Sequence, residues 1–295
     1  MTTMSLKARL TAPDILLAPG IFDGLTAALA EAAGAQALYL SGAAVAYTRL
    51  GRPDIGLTAM PEMADTMALI RDRVSLPVII DADTGFGNAL NAQRTMRVYE
   101  RAGGSALQIE DQACPKRCGH LSDKSLISAC EMVGKIAAMA DARASEETLI
   151  IARTDAIAVE GFQAAIDRAE TYLEAGADVL FIEAPRSGEE LSEIGRIFAD
   201  RAPLMANMVE GGETPITAAR DLEQLGYALV IFPGGIVRAL ARTAEDYYAS
   251  LIRHGSNRPF TDRMFDFTAL NDRLGTAALL AEGGRYDLPK KANKA

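Results

Sequence analysis

Long apolar runs are missing from this chain: no stretch approaches the ~18 uninterrupted apolar residues that read as a membrane-spanning helix. Residues 1–13 hold only Lys7 and Arg9 as bases and no apolar core, so no secretory signal is expected there. Cysteine is scarce. Cys114, Cys118 and Cys130 are odd in number and clustered, which excludes a disulfide framework and suits a reducing, cytoplasmic setting. Basic charge is also short. A net charge of −9 with no basic face argues against a nucleic-acid partner. It leaves small anionic substrates open, because a few local cations and a metal reverse the field inside a pocket.

Apolar residues, by contrast, make up 49% of the chain and charged residues 23%, enough for a large core. The length of 295 residues suits one closed α/β barrel, which takes about 250. Aligning the glycines exposes a repeated unit at 33–40, 102–109, 175–182 and 225–232. In each, a helix-like stretch ends in Gly at its C-cap and a short apolar run follows. Continuous rather than alternating apolar runs suit strands buried on both faces, as in parallel sheets. Strands are expected near 15–18, 36–41, 77–82, 105–110, 148–153, 178–183, 203–207 and 228–232. Helices fit between them, near 23–33, 61–73, 90–102, 128–144, 160–175, 188–199, 217–224 and 236–253. The unbroken series predicts a (β/α)8 TIM barrel rather than a doubly wound sheet. Residues 257–285, partly helical, cannot extend that barrel and must pack on it or on a neighbour's. The division expected is a barrel domain over 1–256 and a helical extension over 257–295, with the polar 289–295 disordered.

Chemistry in such a barrel sits at the C-terminal ends of strands. Those ends carry Ser41, Asp81 and Asp83, Glu110, Arg153 and Asp155, Glu183, and Asn207 with Glu210. The eighth ends in Pro233-Gly234-Gly235, with Arg238 soon after. A polar end is ordinary for any one strand, but acids gathered at one end of the barrel are not. Asp81 and Asp83, two apart, share one side of the chain. With Glu110 they form an all-oxygen set suited to Mg2+ or Mn2+. The structural alternative is helix N-capping by Asp83 or Asn88.

Strand 105–110 runs directly into a segment, 113–120, that has no apolar periodicity and carries Cys118 among Lys116, Arg117 and His120. It reads as a mobile loop bringing Cys118 over the strand ends. A zinc site from Cys114, Cys118 and His120 lacks a fourth ligand. An inert buried cysteine is the common default, but those cations make a poor core. They would instead favour a thiolate and a competent proton donor. Cys130 falls on a helix and is expected to pack; His254 sits at a helix C-terminus, where a cation suits the dipole.

Five motifs in order resemble the isocitrate lyase / phosphoenolpyruvate mutase superfamily. They are Asp81-Ala-Asp-Thr-Gly-Phe-Gly-Asn88, Glu110-Asp-Gln112, Lys116-Arg-Cys-Gly-His120, Ala152-Arg-Thr-Asp155 and Asn207-Met-Val-Glu-Gly-Gly212. Tyr39-Leu-Ser-Gly42 is similar to the family's substrate-carboxylate loop. The resemblance implies a Mg2+ barrel that holds a 2-oxo acid, and C-terminal helices exchanged between paired subunits of a homo-oligomer, a dimer or a tetramer built of dimers. It also implies a lyase that cleaves a 2-hydroxy acid by retro-Claisen chemistry, with Cys118 as acid assisted by His120. Arg153 would hold the oxo-acid oxygens, and Ser41, Gly42 and Ala43 its carboxylate. Gly119, Glu183, Asn207 and Arg238 would line the pocket. Tyr39 or a metal-bound water would be the base. An apolar Val209 and Phe267 stand where related tricarboxylate lyases satisfy an extra carboxylate. The expected substrate is therefore 2,3-dimethylmalate-like. Methylisocitrate is the runner-up, with carboxyphosphonoenolpyruvate mutase or oxaloacetate decarboxylase chemistry behind it.

Overall fold

The computed structural model describes residues 4–119 and 123–286, so His120 and 289–295 lie outside the described residues. The strands are β1 (Leu16–Ile21), β2 (Leu38–Leu40), β3 (Val78–Asp81), β4 (Ala106–Glu110), β5 (Leu149–Thr154), β6 (Val179–Ile182), β7 (Met205–Asn207) and β8 (Leu229–Phe232). All pair in parallel in the order β6-β5-β4-β3-β2-β1-β8-β7. A parallel bridge between Leu180 and Leu204 brings β6 to β7, and the ring is a nearly closed (β/α)8 barrel.

The helices, in chain order, are α1 (Leu6–Leu10), α2 (Gly24–Ala32), α3 (Gly42–Val45), α4 (Met60–Arg73), α5 (Ala89–Arg101) and α6 (Ala129–Ala142). They continue with α7 (Ala156–Val159), α8 (Phe162–Glu174), α9 (Gly188–Phe198), α10 (Ala219–Gln224) and α11 (Gly235–His254), then α12 (Phe267–Leu274) and α13 (Thr276–Gly284). Asn88, not Asp83, caps α5 by accepting from the Leu90 and Asn91 amides. Cys130 departs from expectation. It is exposed on α6, because the buried stripe there is Met132, Lys135, Ile136 and Met139 and Cys130 falls outside it.

Two apolar layers follow from strands buried on both faces. One cluster fills the space between strands and helices, including Ile80, Leu107, Ile150 and Leu180 of the strands. Alternate strand residues point the other way: Leu16, Ala18, Tyr39, Ile79, Ile151, Phe181 and Ile231 pack inside the barrel. Leu6 and Leu10 of α1 join that inner cluster and close the N-terminal end of the barrel. The opposite end is left for polar groups.

The chain forms two compact units, Met1–Ala239 and Leu240–Ala295. In the second, Phe260 is buried, with the Tyr247 ring at 5.4 Å and the Arg263 guanidinium at 4.2 Å. Among the described residues no helix is long and apolar enough to cross a membrane.

Candidate active site

One pocket at the strand ends is lined by Tyr39, Ser41, Ala43, Asp81, Glu110, Cys118, Gly119, Arg153, Glu183, Asn207 and Arg238. Tyr47, Asp54, Lys116 and Val209 line it as well. Most of the residues named from the sequence therefore converge, although they come from seven strands.

The acids are held by backbone. Asp81 accepts from the Gly42 amide at 3.2 Å and the Asp83 amide at 3.1 Å. Gly42 sits beside the pocket, where a side chain would press on the Asp81 carboxylate. Asp83 takes a left-handed backbone, φ 46°, which a non-glycine residue adopts only when its surroundings hold it. The Ala82 amide donates to the Gln108 carbonyl and the Glu110 amide to the Asp83 carbonyl, tying this turn to β4.

Lys116 enters this group as a buried cation, 2.6 Å from both Asp54 and Asp83. Burial still pushes the Asp83 carboxyl up to about 7, against the pull of Lys116. Glu110 is buried too; desolvation drives it well above the usual carboxylate range, with Arg153 opposing. Its Oε1 has no hydrogen-bond partner. The local cations thus do not suffice to favour the ionised form of both carboxyls, and one buried Glu110 oxygen is left without a hydrogen-bond partner. That fits a hard divalent cation. Among the described residues, however, no three carboxylate, imidazole or thiol groups converge tightly enough to chelate a metal alone. Magnesium keeps several of its waters and needs only one or two carboxylates, so the spaced set suits it.

On the other side, Arg153 is buried and gripped by Asp155, from Nε at 2.9 Å and Nη2 at 3.0 Å. It also lies 3.4 Å from Glu110, 3.7 Å from Glu183 and 5.1 Å above the Phe181 ring. Asn207 Nδ2 donates to both Glu183 oxygens, and Asn207 Oδ1 is buried without a hydrogen-bond partner. Asp155 is itself fixed through its amide by Asp111, which also accepts from Thr154, Tyr172 and Arg168. Tyr39 donates its hydroxyl proton to Gln108 Oε1. Burial, with Asp81 adding, holds the phenol well above its ordinary pKa, so this proton is hard to remove.

The cysteine segment lies against the pocket. The Cys118 amide donates to the Asp54 carbonyl at 3.2 Å. Gly119 packs so closely that a Cβ there would overlap Arg153 and Glu183. Arg238 pairs with Glu210 at 2.7 Å at the exposed rim. Asp54 was missed from sequence: it stands in a stretch without periodicity, and only its approach to Lys116, 62 residues away, marks it.

Residues 6–252 match the family model for phosphoenolpyruvate phosphomutase. The chain is 46% identical over 262 residues to a 2-methylisocitrate lyase of Aeropyrum pernix, covering 89% of this chain and 83% of the relative. It is 39% identical over 274 residues to the 2,3-dimethylmalate lyase of Eubacterium barkeri, covering 93% and 94%. A crystal structure of 2,3-dimethylmalate lyase, a PEP mutase/isocitrate lyase superfamily member, matches with a TM-score of 0.90 at 33% identity, covering 95% and 93%. A phosphonopyruvate hydrolase solved with oxalate and Mg++ matches at 0.85 and 30%, covering 95% and 97%. With the family match running through the whole barrel, and acids, arginine and cysteine meeting at its strand ends, this protein belongs to the phosphoenolpyruvate mutase/isocitrate lyase superfamily.

Proposed function

We infer that the protein is a carbon–carbon lyase that cleaves an alkyl-substituted malate, such as 2,3-dimethylmalate, to pyruvate and a short carboxylate. The observation that carries this reading is Cys118 lining the same pocket as Arg153 and the acid group. Decarboxylation of oxaloacetate requires no proton donor on a loop, whereas a departing carbanion does. The substrate's 2-hydroxyl gives its proton to a base, a role that a water on the bound metal would serve, and C2=O forms as the C2–C3 bond breaks. The bond's electron pair goes to the carbon next to the distal carboxylate, and Cys118 protonates that carbon.

Arg153, oriented by Asp155, faces the oxygens of the oxo acid, and Glu183 with Asn207 fixes the far wall. Ser41 and Ala43 flank the carboxylate. Mg2+, or Mn2+ in its place, held through Asp81 with Asp83 and Glu110 around it, would offset the negative charge that develops on the C2 oxygen. The hold of Gln108 on the Tyr39 proton disfavours Tyr39 as the base.

Val209 is buried and lines the pocket, an apolar wall with nothing to offer a further carboxylate. Methylisocitrate remains the second reading, favoured by the 46% identity to a methylisocitrate lyase. The test is a panel of hydroxy acids assayed for oxo-acid release with Mg2+, with EDTA and after readdition of metal. The account expects pyruvate and propionate from 2,3-dimethylmalate, abolished by EDTA and restored by Mg2+ or Mn2+. Faster release of pyruvate and succinate from methylisocitrate would transfer the assignment to the second reading. Full turnover in verified metal-free enzyme would remove the metal.

Assembly is part of the reading. Leu17 of β1 is 43% exposed, above a groove shared with Ile15, Pro19, Ala30 and Ala33. Helices α12 and α13 bury no residue, and Phe267 is 85% exposed. Apolar area of this kind calls for cover by other copies of the chain, in a tetramer built of dimers.

A further inference from the structure

We propose that Lys124 is a positioning residue that clasps the backbone carrying Cys118 onto the Arg153 side of the barrel through Asp155. Its Nζ lies 2.8 Å from Asp155 Oδ1 and also donates to the Gly119 carbonyl oxygen. The two side chains of this ion pair are 2% and 0% exposed. A lysine in a polar loop ordinarily keeps its ammonium in water, since burying the charge is costly unless a well-formed pair compensates it. Arg117 of the same loop behaves that way: it is 45% exposed and pairs with an exposed Asp123. Lys124 is buried instead, and its two partners explain why.

Asp155 is shared. The carboxylate that takes Lys124 also takes both Nε and Nη2 of Arg153. One anion therefore grips the loop and the guanidinium that faces the substrate. Gly119, the other partner, is the residue at which a Cβ would overlap Arg153 and Glu183, and Cys118 precedes it directly. Fixing the Gly119 carbonyl fixes the reach of the thiol. The near side of the segment is held independently, by Lys116 on Asp54 and Asp83 and by the Cys118 amide on the Asp54 carbonyl. Lys124 does not line the pocket, so it acts through its neighbours and touches no reacting atom. The inference rests on the reading of Cys118 as the acid and Arg153 as the oxo-acid anchor.

The test compares full-length wild type, Lys124→Met and Lys124→Arg. Methionine keeps the length and removes the charge, and Asp155 retains Arg153, so the fold is not left with an unpaired anion. Alkylation of Cys118 by iodoacetamide is followed by peptide mass spectrometry without ligand, with the exposed Cys130 on α6 as internal reference. Lys124→Met is expected to speed alkylation of Cys118 roughly tenfold, leaving Cys130 unchanged. Its kcat is expected to fall roughly 10- to 100-fold with a smaller change in KM. Lys124→Arg should restore both towards wild type. Equal Cys118 rates in wild type and Lys124→Met overturn the clasp, as does a parallel rise at Cys130, which signals general loosening. Unchanged kcat beside faster Cys118 alkylation overturns the positioning role. If wild type releases no oxo acid from any substrate, the functional reading fails, while the alkylation ratio still decides the clasp.

Discussion

Lys116 and Arg153 are both buried, and each faces more than one carboxylate, so the charges at the strand ends are balanced by sharing rather than in private pairs. Small shifts in one partner are felt by all of them. Gly119 is the position where this is easiest to test, because a single methyl there meets Arg153 and Glu183 at once. Gly119→Ala is expected to lower kcat/KM by about 100-fold, the scale of a displacement near 1 Å at reacting groups. Urea denaturation should show an unchanged fold, because Gly119, although buried, lies in the loop after β4 and outside both apolar clusters. Wild-type kcat/KM in this variant would mean the close packing is not kept during turnover. The polar strand ends were legible in the sequence because strand side chains alternate and the acids fall where each apolar run stops. Asp54 and Lys124 were not. Each gains its meaning from a partner distant in the chain, Lys116 in one case and Asp155 in the other, and no local pattern announces such a meeting.

At the scale of elements, the glycine punctuation explains why the barrel could be read in advance. Gly34, Gly103, Gly176 and Gly226 have φ of 95°, 96°, 103° and 89°, the left-handed stop that ends a helix before the next strand. What escaped notice was short. Helix α1 has five residues, too few for a periodic signal, and 42–50 folds as α3 followed by a π-helical turn, Ala46–Leu50. Helix α1 still matters to stability, because Leu6 and Leu10, four apart, insert into the barrel interior at 2% and 5% exposure. Leu10→Ala is expected to cost about 2–5 kcal/mol in urea denaturation, the range for a truncated core leucine. KM should be unchanged, because α1 packs at the end of the barrel away from the pocket. A loss of less than about 0.5 kcal/mol, the level of ordinary surface substitutions, would mean that α1 is not part of the core.

For the whole molecule, the apolar groove beside β1 and the exposed faces of α12 and α13 lead to an expected tetramer in light scattering at micromolar concentration. A stable, active monomer would contradict it. The central claim is that a thiol on the loop completes a carbon–carbon cleavage, and Cys118→Ser tests it most directly. Serine has nearly the same shape but is a far weaker acid. The variant should therefore still bind Mg2+ and pyruvate, yet lose cleavage of its hydroxy acid by about 10²- to 10⁴-fold. Decarboxylation of oxaloacetate, if the enzyme performs it, should survive the substitution. Cleavage by Cys118→Ser at the wild-type rate would show that the cysteine is not the acid, and the lyase mechanism drawn from this site would be wrong.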